Sequence, residues 1–222
     1  MHHHLGNVLA ATCALTMTST LWAAPAPGAT APAPGNTSGD GSFFTLPAAA
    51  PAIDLTQGGP AAEFAKGSWV TPAYFSATVG DNDHLYEAHA GVGYFFMDNL
   101  ALNAEVVGSY ANYNSYPNDP ANAWGAGLDL LFRWHFIKGT NWSLYADGGG
   151  GLREFSRAFP TGGTHFNFTP QIGLGATYKL ADNLQLMGGA RYFHLSNAGF
   201  DGNNHNPGYD ALQLYLGATL KW

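Results

Sequence analysis

An all-β fold, an eight-stranded antiparallel barrel that crosses a membrane, is what this sequence predicts, and three observations carry the prediction. Bulky apolar residues alternate with small or polar ones over stretches of roughly ten residues, a pattern met eight times. Charged residues are only 10% of the chain, while aromatics reach 14% and glycines number 29; a soluble domain carries about a quarter charged residues. Short turns alternate with longer loops, as in barrels whose two rims face different compartments. The net charge of −7 comes with no basic stripe, which excludes nucleic acid as a partner.

Residues 1–24 read as an export signal. "LGNVLAATCALTMTSTLWAA" is an apolar stretch closing on alanines, with cleavage expected near Ala24 or Ala26. The single cysteine, Cys13, lies inside it and follows Thr12, so neither a lipid anchor nor a disulfide is expected. Residues 25–67 are rich in Ala, Pro and Gly ("APAPGATAPAPGNTSGDG") and offer too little apolar surface to fold alone. They are expected to form a disordered linker, in which only "FFTL" (43–46) has the composition to dock.

The barrel is expected over residues 68–222. "SWVTPAYFSAT" is the first and least regular strand. In "HLYEAHAGVGYFF", Tyr86, Val92, Tyr94 and Phe96 share one face and Glu87 and His89 the other. "LALNAEVVGSY" sets Leu100, Leu102 and Val106 against Asn103 and Glu105, and "WGAGLDLLFRWHF" sets Trp124, Leu128 and Phe132 against Asp129, Arg133 and His135. "WSLYADGGGGLR", "FNFTPQIGLGATYKL", "LQLMGGARYF" and "ALQLYLGATLKW" continue the pattern. The polar face is the one crowded with glycine, which marks a narrow lumen and not a water-facing surface. The aromatic end of "LYLGATLKW" resembles the terminal signature of outer-membrane barrels.

"MDN" (97–99), "KGTN" (138–141) and "ADN" (181–183) are short turns, expected on the periplasmic side; the loops near 79–83, 114–122, 156–165 and 197–208 then lie outside. Trp134, Trp142 and Trp222 fall near the inner ends as girdle residues. Glu87, Glu105, Asp129, Arg133, Asp147, Arg153, Lys179 and Arg191 all take inward parity, which predicts an ion-pair network plugging the lumen. "GGGG" (148–151) lies mid-strand with no helix after it, so it reads as close backbone packing and not as a phosphate loop. No set of His, Asp and Glu has the spacing of a zinc site, so no metal and no cofactor is expected.

"HLSNAG" (194–199) raises a separate question. His194 and Ser196 share parity with Leu184, Leu186 and Tyr192, so both face lipid at the outer end of the seventh strand. Asp210 shares parity with Leu212 and Leu214 and faces lipid at the same end of the eighth. Residues i and i+2 are about 6.6 Å apart along a strand, so an imidazole can lean toward the serine while the acid reaches its other nitrogen. That is a Ser–His–acid arrangement, in which His takes the hydroxyl proton and the acid orients the imidazolium. Polar residues at a barrel rim are also tolerated without any role, so a non-enzymatic barrel (structural protein, adhesin or narrow channel) is the competing class.

"HLSNAG" followed by "NPGYD" (206–210) resembles the signature of the lipid A 3-O-deacylase (PagL, acyloxyacyl hydrolase-like) family of outer-membrane enzymes. The resemblance implies an eight-stranded barrel acting on lipid A of lipopolysaccharide in the outer leaflet, by hydrolysis of an ester-linked 3-hydroxyacyl chain. It implies Ser196 as nucleophile and His194 as base, with Asn197 and Gly199 helping to form the oxyanion hole. The family's acid is usually glutamate, where this chain offers Asp210. Apolar grooves near Phe166, Phe168 and Tyr192 are expected to hold the acyl chain, and a homodimer is left open.

Overall fold

The computed structural model describes residues 48–56, 63–79, 83–113 and 122–222. The expected export signal, the "FFTL" segment and the tips of two outer loops lie outside the described residues. The main strands are β2 (Trp69–Val79), β3 (Asp83–Met97), β4 (Leu100–Tyr113), β5 (Ala123–Lys138) and β6 (Trp142–Phe159), followed by β7 (Thr164–Phe168), β8 (Gln171–Ala181), β9 (Leu184–Leu195) and β10 (Tyr209–Lys221). Neighbouring wall strands pair antiparallel, β6 with both β7 and β8, and β10 closes on β2 from Leu212↔Val79 to Lys221↔Val70. β7 and β8 are one wall strand, interrupted at Thr169 and Pro170, between β6 and β9. Eight wall strands therefore form a closed ring. Closure leaves no edge with unpaired backbone groups, which a lipid-embedded sheet requires.

The alternation read from sequence is the in–out alternation of the wall. Val106, Leu128, Leu130, Ile172, Leu174 and Leu216 are exposed on the outside. Glu87, Glu105, Asp129, Asp147, Arg153 and Arg191 are buried inside. Arg153 donates to both oxygens of Asp129 at 2.6 and 2.9 Å and to Glu87 at 2.7 Å, while Asp147 accepts from Arg133 and Arg191. Lys179 sits at the rim and pairs with Asp182 at 3.2 Å. The four-glycine run provides room for this network: a Cβ on Gly151 would land on the Asp129 carboxylate.

Apolar layers cap the ions. Toward the outer rim, Leu85, Ala111, Ala123, Phe155, Phe159, Phe193, Leu195, Tyr209 and Ala211 form one buried cluster. The three predicted short turns join β3–β4, β5–β6 and β8–β9. The loop expected over 156–165 is shorter than predicted, because β6 continues to Phe159 and β7 starts at Thr164.

Two described pieces of the region expected as a linker lie against the periplasmic end. The two-residue strand β1 (Ile53–Asp54) pairs parallel with the end of β5 through Ile53↔Ile137 and Asp54↔Lys138. The Trp134 indole N–H donates to the Pro51 carbonyl at 2.7 Å, and Phe64 stacks on His135 at 3.8 Å. The Ala/Pro/Gly composition gave no sign of these contacts, which rest on a short backbone ladder and on two side chains, Trp134 and Phe64.

Candidate active site on the lipid-facing wall

His194 and Asp210 are direct cross-strand partners in the β9–β10 ladder. Their inward neighbours Phe193, Leu195, Tyr209 and Ala211 are locked in the outer apolar cluster, so the pleat directs His194 and Asp210 to the opposite face. β9 ends at Leu195, and Ser196 then forms an isolated bridge with Phe168 through two backbone hydrogen bonds of 2.7 and 3.1 Å. The serine is thereby fixed at the gap between β7 and β9.

The three predicted side chains meet. His194 Nδ1 lies 2.7 Å from Asp210 Oδ1 and Nε2 lies 3.0 Å from Ser196 Oγ. An ionised carboxylate only accepts, so the Nδ1 proton points at Asp210 and Nε2 is left to accept the Ser196 hydroxyl proton. Tyr192, two residues before His194, donates its hydroxyl to the same Asp210 oxygen. The imidazole side chain is 29% exposed and the carboxylate 61%, so these two open to the surroundings of the barrel, while Ser196 is buried beneath them.

The loop behind the serine is tied by one asparagine pair. The Asn197 N–H donates to Asn206 Oδ1 at 2.9 Å, Asn197 Nδ2 donates to the His205 carbonyl at 2.9 Å, and the Gly199 N–H donates to Asn197 Oδ1 at 2.8 Å. The two N–H groups predicted for an oxyanion hole are therefore ordered, and each already faces an amide oxygen. Ala198 between them has φ 53°, a left-handed conformation uncommon for a residue with a Cβ. Gly208, at φ 64°, passes close to the imidazole, where a Cβ would stand 3.5 Å from His194 Cε1.

Tyr192, Asn206 and Gly208 are the site-supporting residues that sequence reasoning did not assign. Gly208 and Asn206 belong to "NPGYD", so their motif was visible while their roles required the loop geometry. Around the site, Phe166 and Phe168 pack edge to face at 5.3 Å, and Phe200, 84% exposed, lies 5.6 Å from Phe168. Phe168 also begins an open apolar furrow of about 710 Å³ that runs past Pro170, Gly150 and Leu130 to Val106.

A second polar group lies inside the barrel. His89, Glu105 and Asp129 come together in the lumen with ligand atoms all within 4.8 Å of one another. Their positions in the chain have no zinc-like spacing, because it is lateral strand register that unites them: Glu105 pairs with Asp129, and His89 lies one strand over.

The lipid A 3-O-deacylase (PagL) family model matches residues 99–219, more than half of the chain and all of the wall that carries this site. The chain belongs to that family. Membership places it among the lipid A deacylases of the bacterial outer membrane. Among solved structures, it is similar to the outer membrane enzyme PagL at 21% identity and TM-score 0.48, with 68% of this chain and 98% of that chain covered. It is also similar to Neisserial surface protein A at 14% identity and TM-score 0.51, with 70% and 96% covered. A third is the N-terminal β-barrel domain of Pseudomonas aeruginosa OprF at 17% identity and TM-score 0.44, with 71% and 98% covered. At 14% identity the likeness to Neisserial surface protein A bears on the barrel fold alone. No curated protein matches the chain.

Proposed function

We propose that this protein is a serine esterase that releases the 3-O-linked 3-hydroxyacyl chain of lipid A in the outer leaflet. The carrying observation is the single imidazole bridging Ser196 and Asp210 on the lipid-facing wall. Ser196 Oγ attacks the ester carbonyl carbon as its proton passes to His194 Nε2. Asp210 and Tyr192 hold the imidazole in the required tautomer and offset the charge it gains. The tetrahedral oxyanion takes the place of the amide oxygens that now face the Asn197 and Gly199 N–H groups, which are already aimed at partial negative charge. On collapse the sugar oxygen leaves with the proton from His194, giving an acyl-serine. Water then attacks with His194 as base, and the 3-hydroxy fatty acid departs.

Placement supports the substrate class. Lipid A ester bonds lie near the headgroup boundary, where a site at the outer end of a strand meets them. Phe166, Phe168 and Phe200 offer apolar surface beside Ser196, and the furrow beyond Phe168 gives an acyl chain room along the wall. Residues 1–24 fit this location as the export signal.

The test is mass spectrometry of lipid A after incubation with the refolded protein. Wild type is expected to remove one ester-linked 3-hydroxyacyl chain from the 3-position, and Ser196→Ala to remove none. Undiminished release by Ser196→Ala defeats the serine mechanism, and loss of a chain from another position defeats the 3-O assignment.

A further inference from the structure

His89 points from β3 into the lumen, where Glu87, Glu105 and Asp129 are also buried. Its Nε2 lies 3.0 Å from Ser76 Oγ and 3.5 Å from Glu87 Oε2, and its ring stacks on Tyr74 at 4.3 Å. Its Nδ1 faces Glu105 Oε2 at 3.8 Å and Asp129 Oδ2 at 3.7 Å, beyond hydrogen-bond reach. Among the described residues, neither His89 Nδ1 nor Glu105 Oε1 has a hydrogen-bond partner. With the Nε2 proton directed at Ser76, the Nδ1 lone pair confronts two carboxylate oxygens, and neither the Tyr74 hydroxyl on Glu105 nor the Arg153 guanidinium on Asp129 donates to Nδ1.

Charge points the same way. Glu87 and Asp129 share one guanidinium, that of Arg153, while Glu105 meets the Tyr74 hydroxyl and the His89 ring. Ser109 and Gln213 donate to Glu87, and Tyr74 to Glu105, but these donors are neutral. The other two buried arginines, Arg133 and Arg191, both pair with Asp147; Arg191 approaches the cluster only through the Tyr74 hydroxyl, at 3.0 Å. Glu87, Glu105 and Asp129 against Arg153 leave the His89 side with two negative charges in excess, offset in part by the one positive charge that Arg133 and Arg191 hold beyond Asp147, and buried negative charge is unfavourable unless a cation joins it.

We propose that His89 Nδ1, Glu105 and Asp129 bind one divalent transition-metal ion of the zinc class inside the barrel. Oxygen–nitrogen gaps of 3.7 and 3.8 Å suit an ion about 2.0–2.2 Å from each atom. One imidazole with two carboxylates is a borderline donor set that suits zinc and its neighbours better than calcium or magnesium. The Ser76 contact at Nε2 is the outer hydrogen bond that fixes the tautomer of a ligating histidine. Two positive charges cancel the local excess, and the ion ties β3, β4 and β5 together.

The experiment refolds the full chain into detergent with either Zn²⁺ or EDTA, removes free metal, and counts zinc per chain by mass spectrometry. Wild type is expected to keep one equivalent more than His89→Gln and Glu105→Gln, with exposed histidines contributing equally to all three. Its Tm should rise by several degrees with zinc, and that rise should vanish in His89→Gln. Equal zinc in wild type and variants overturns the proposal. Where a variant fails to fold, wild type alone decides: refolding with Co²⁺ should give the visible absorption of a nitrogen/oxygen-ligated ion. In ¹⁵N-histidine spectra, His89 should move on zinc loading. A His89 ring protonated at both nitrogens and unmoved by zinc shows that the missing cation is a proton, and overturns the site.

Discussion

Two places in this barrel bring a serine, a histidine and an acid together; the His–Ser contact is the same at both, and the difference lies in the acid and in the exposure of the ring. On the outer wall, His194 touches Ser196 at 3.0 Å and Asp210 at 2.7 Å. In the lumen, His89 touches Ser76 at 3.0 Å, but the acids around it, Glu87, Asp129 and Glu105, stand off at 3.5, 3.7 and 3.8 Å. Ser76 there also accepts an N–H from Gln213 at 3.1 Å, and the whole group is buried. Similar residue types therefore do not make a catalytic set. An acid within hydrogen-bond distance and a surface the substrate can reach do.

The largest contrast is expected at the nucleophile. Ser196→Ala and His194→Ala should each lower ester hydrolysis by about 10³-fold or more, and the double variant should cost little beyond either alone, because the pair acts as a unit. A serine-directed fluorophosphonate should label Ser196 and never Ser76, as read by peptide mass spectrometry. Labelling at Ser76 would erase the distinction between the two sites.

Asp210→Asn comes next, with hydrolysis reduced roughly 10²–10⁴-fold and the barrel intact, since the amide no longer selects the Nδ1–H tautomer. Asp210→Glu should recover most of the rate. Full activity in Asp210→Asn would remove the acid from the comparison. On the lumen side, Arg153→Leu should leave Glu87 and Asp129 buried without their shared partner and destabilise the barrel by about 3–5 kcal/mol. Urea unfolding in detergent would measure this. The smallest effect is expected for Tyr192→Phe, which removes one of two donors to Asp210 Oδ1; a hydrogen bond to a charged group is worth about 1.5–3 kcal/mol, and on so exposed a carboxylate the low end applies, a drop of roughly tenfold in kcat/KM.

The outer site was legible and the inner one was not, for a reason that lies in how sheets are built. Parity along one strand reveals which face a residue takes, so the shared face of His194, Ser196 and Asp210 follows from counting residues. It does not reveal which residue on the next strand stands opposite. The pairing Glu105↔Asp129 depends on register, set by turns and bulges that composition does not encode. The role of Asn206 was hidden for the same kind of reason, since its amide meets Asn197 only once the 197–208 loop has folded. Phe64 and Pro51 were invisible because their partners, His135 and Trp134, lie far along the chain.

The apolar cluster around Phe193 and Leu195 has a consequence for traffic. Leu85, Phe155, Phe159, Phe193 and Leu195 are almost wholly buried and close the lumen beneath the outer rim. The water that completes the proposed hydrolysis is therefore drawn from the extracellular headgroup layer, past the exposed Asp210. The released fatty acid starts on the other side of the same small site, against Phe168 and the bilayer. Supply and exit use different phases, so the wall strand acts as a phase-transfer boundary, and the solvent order of the surrounding lipid becomes one of the reagents.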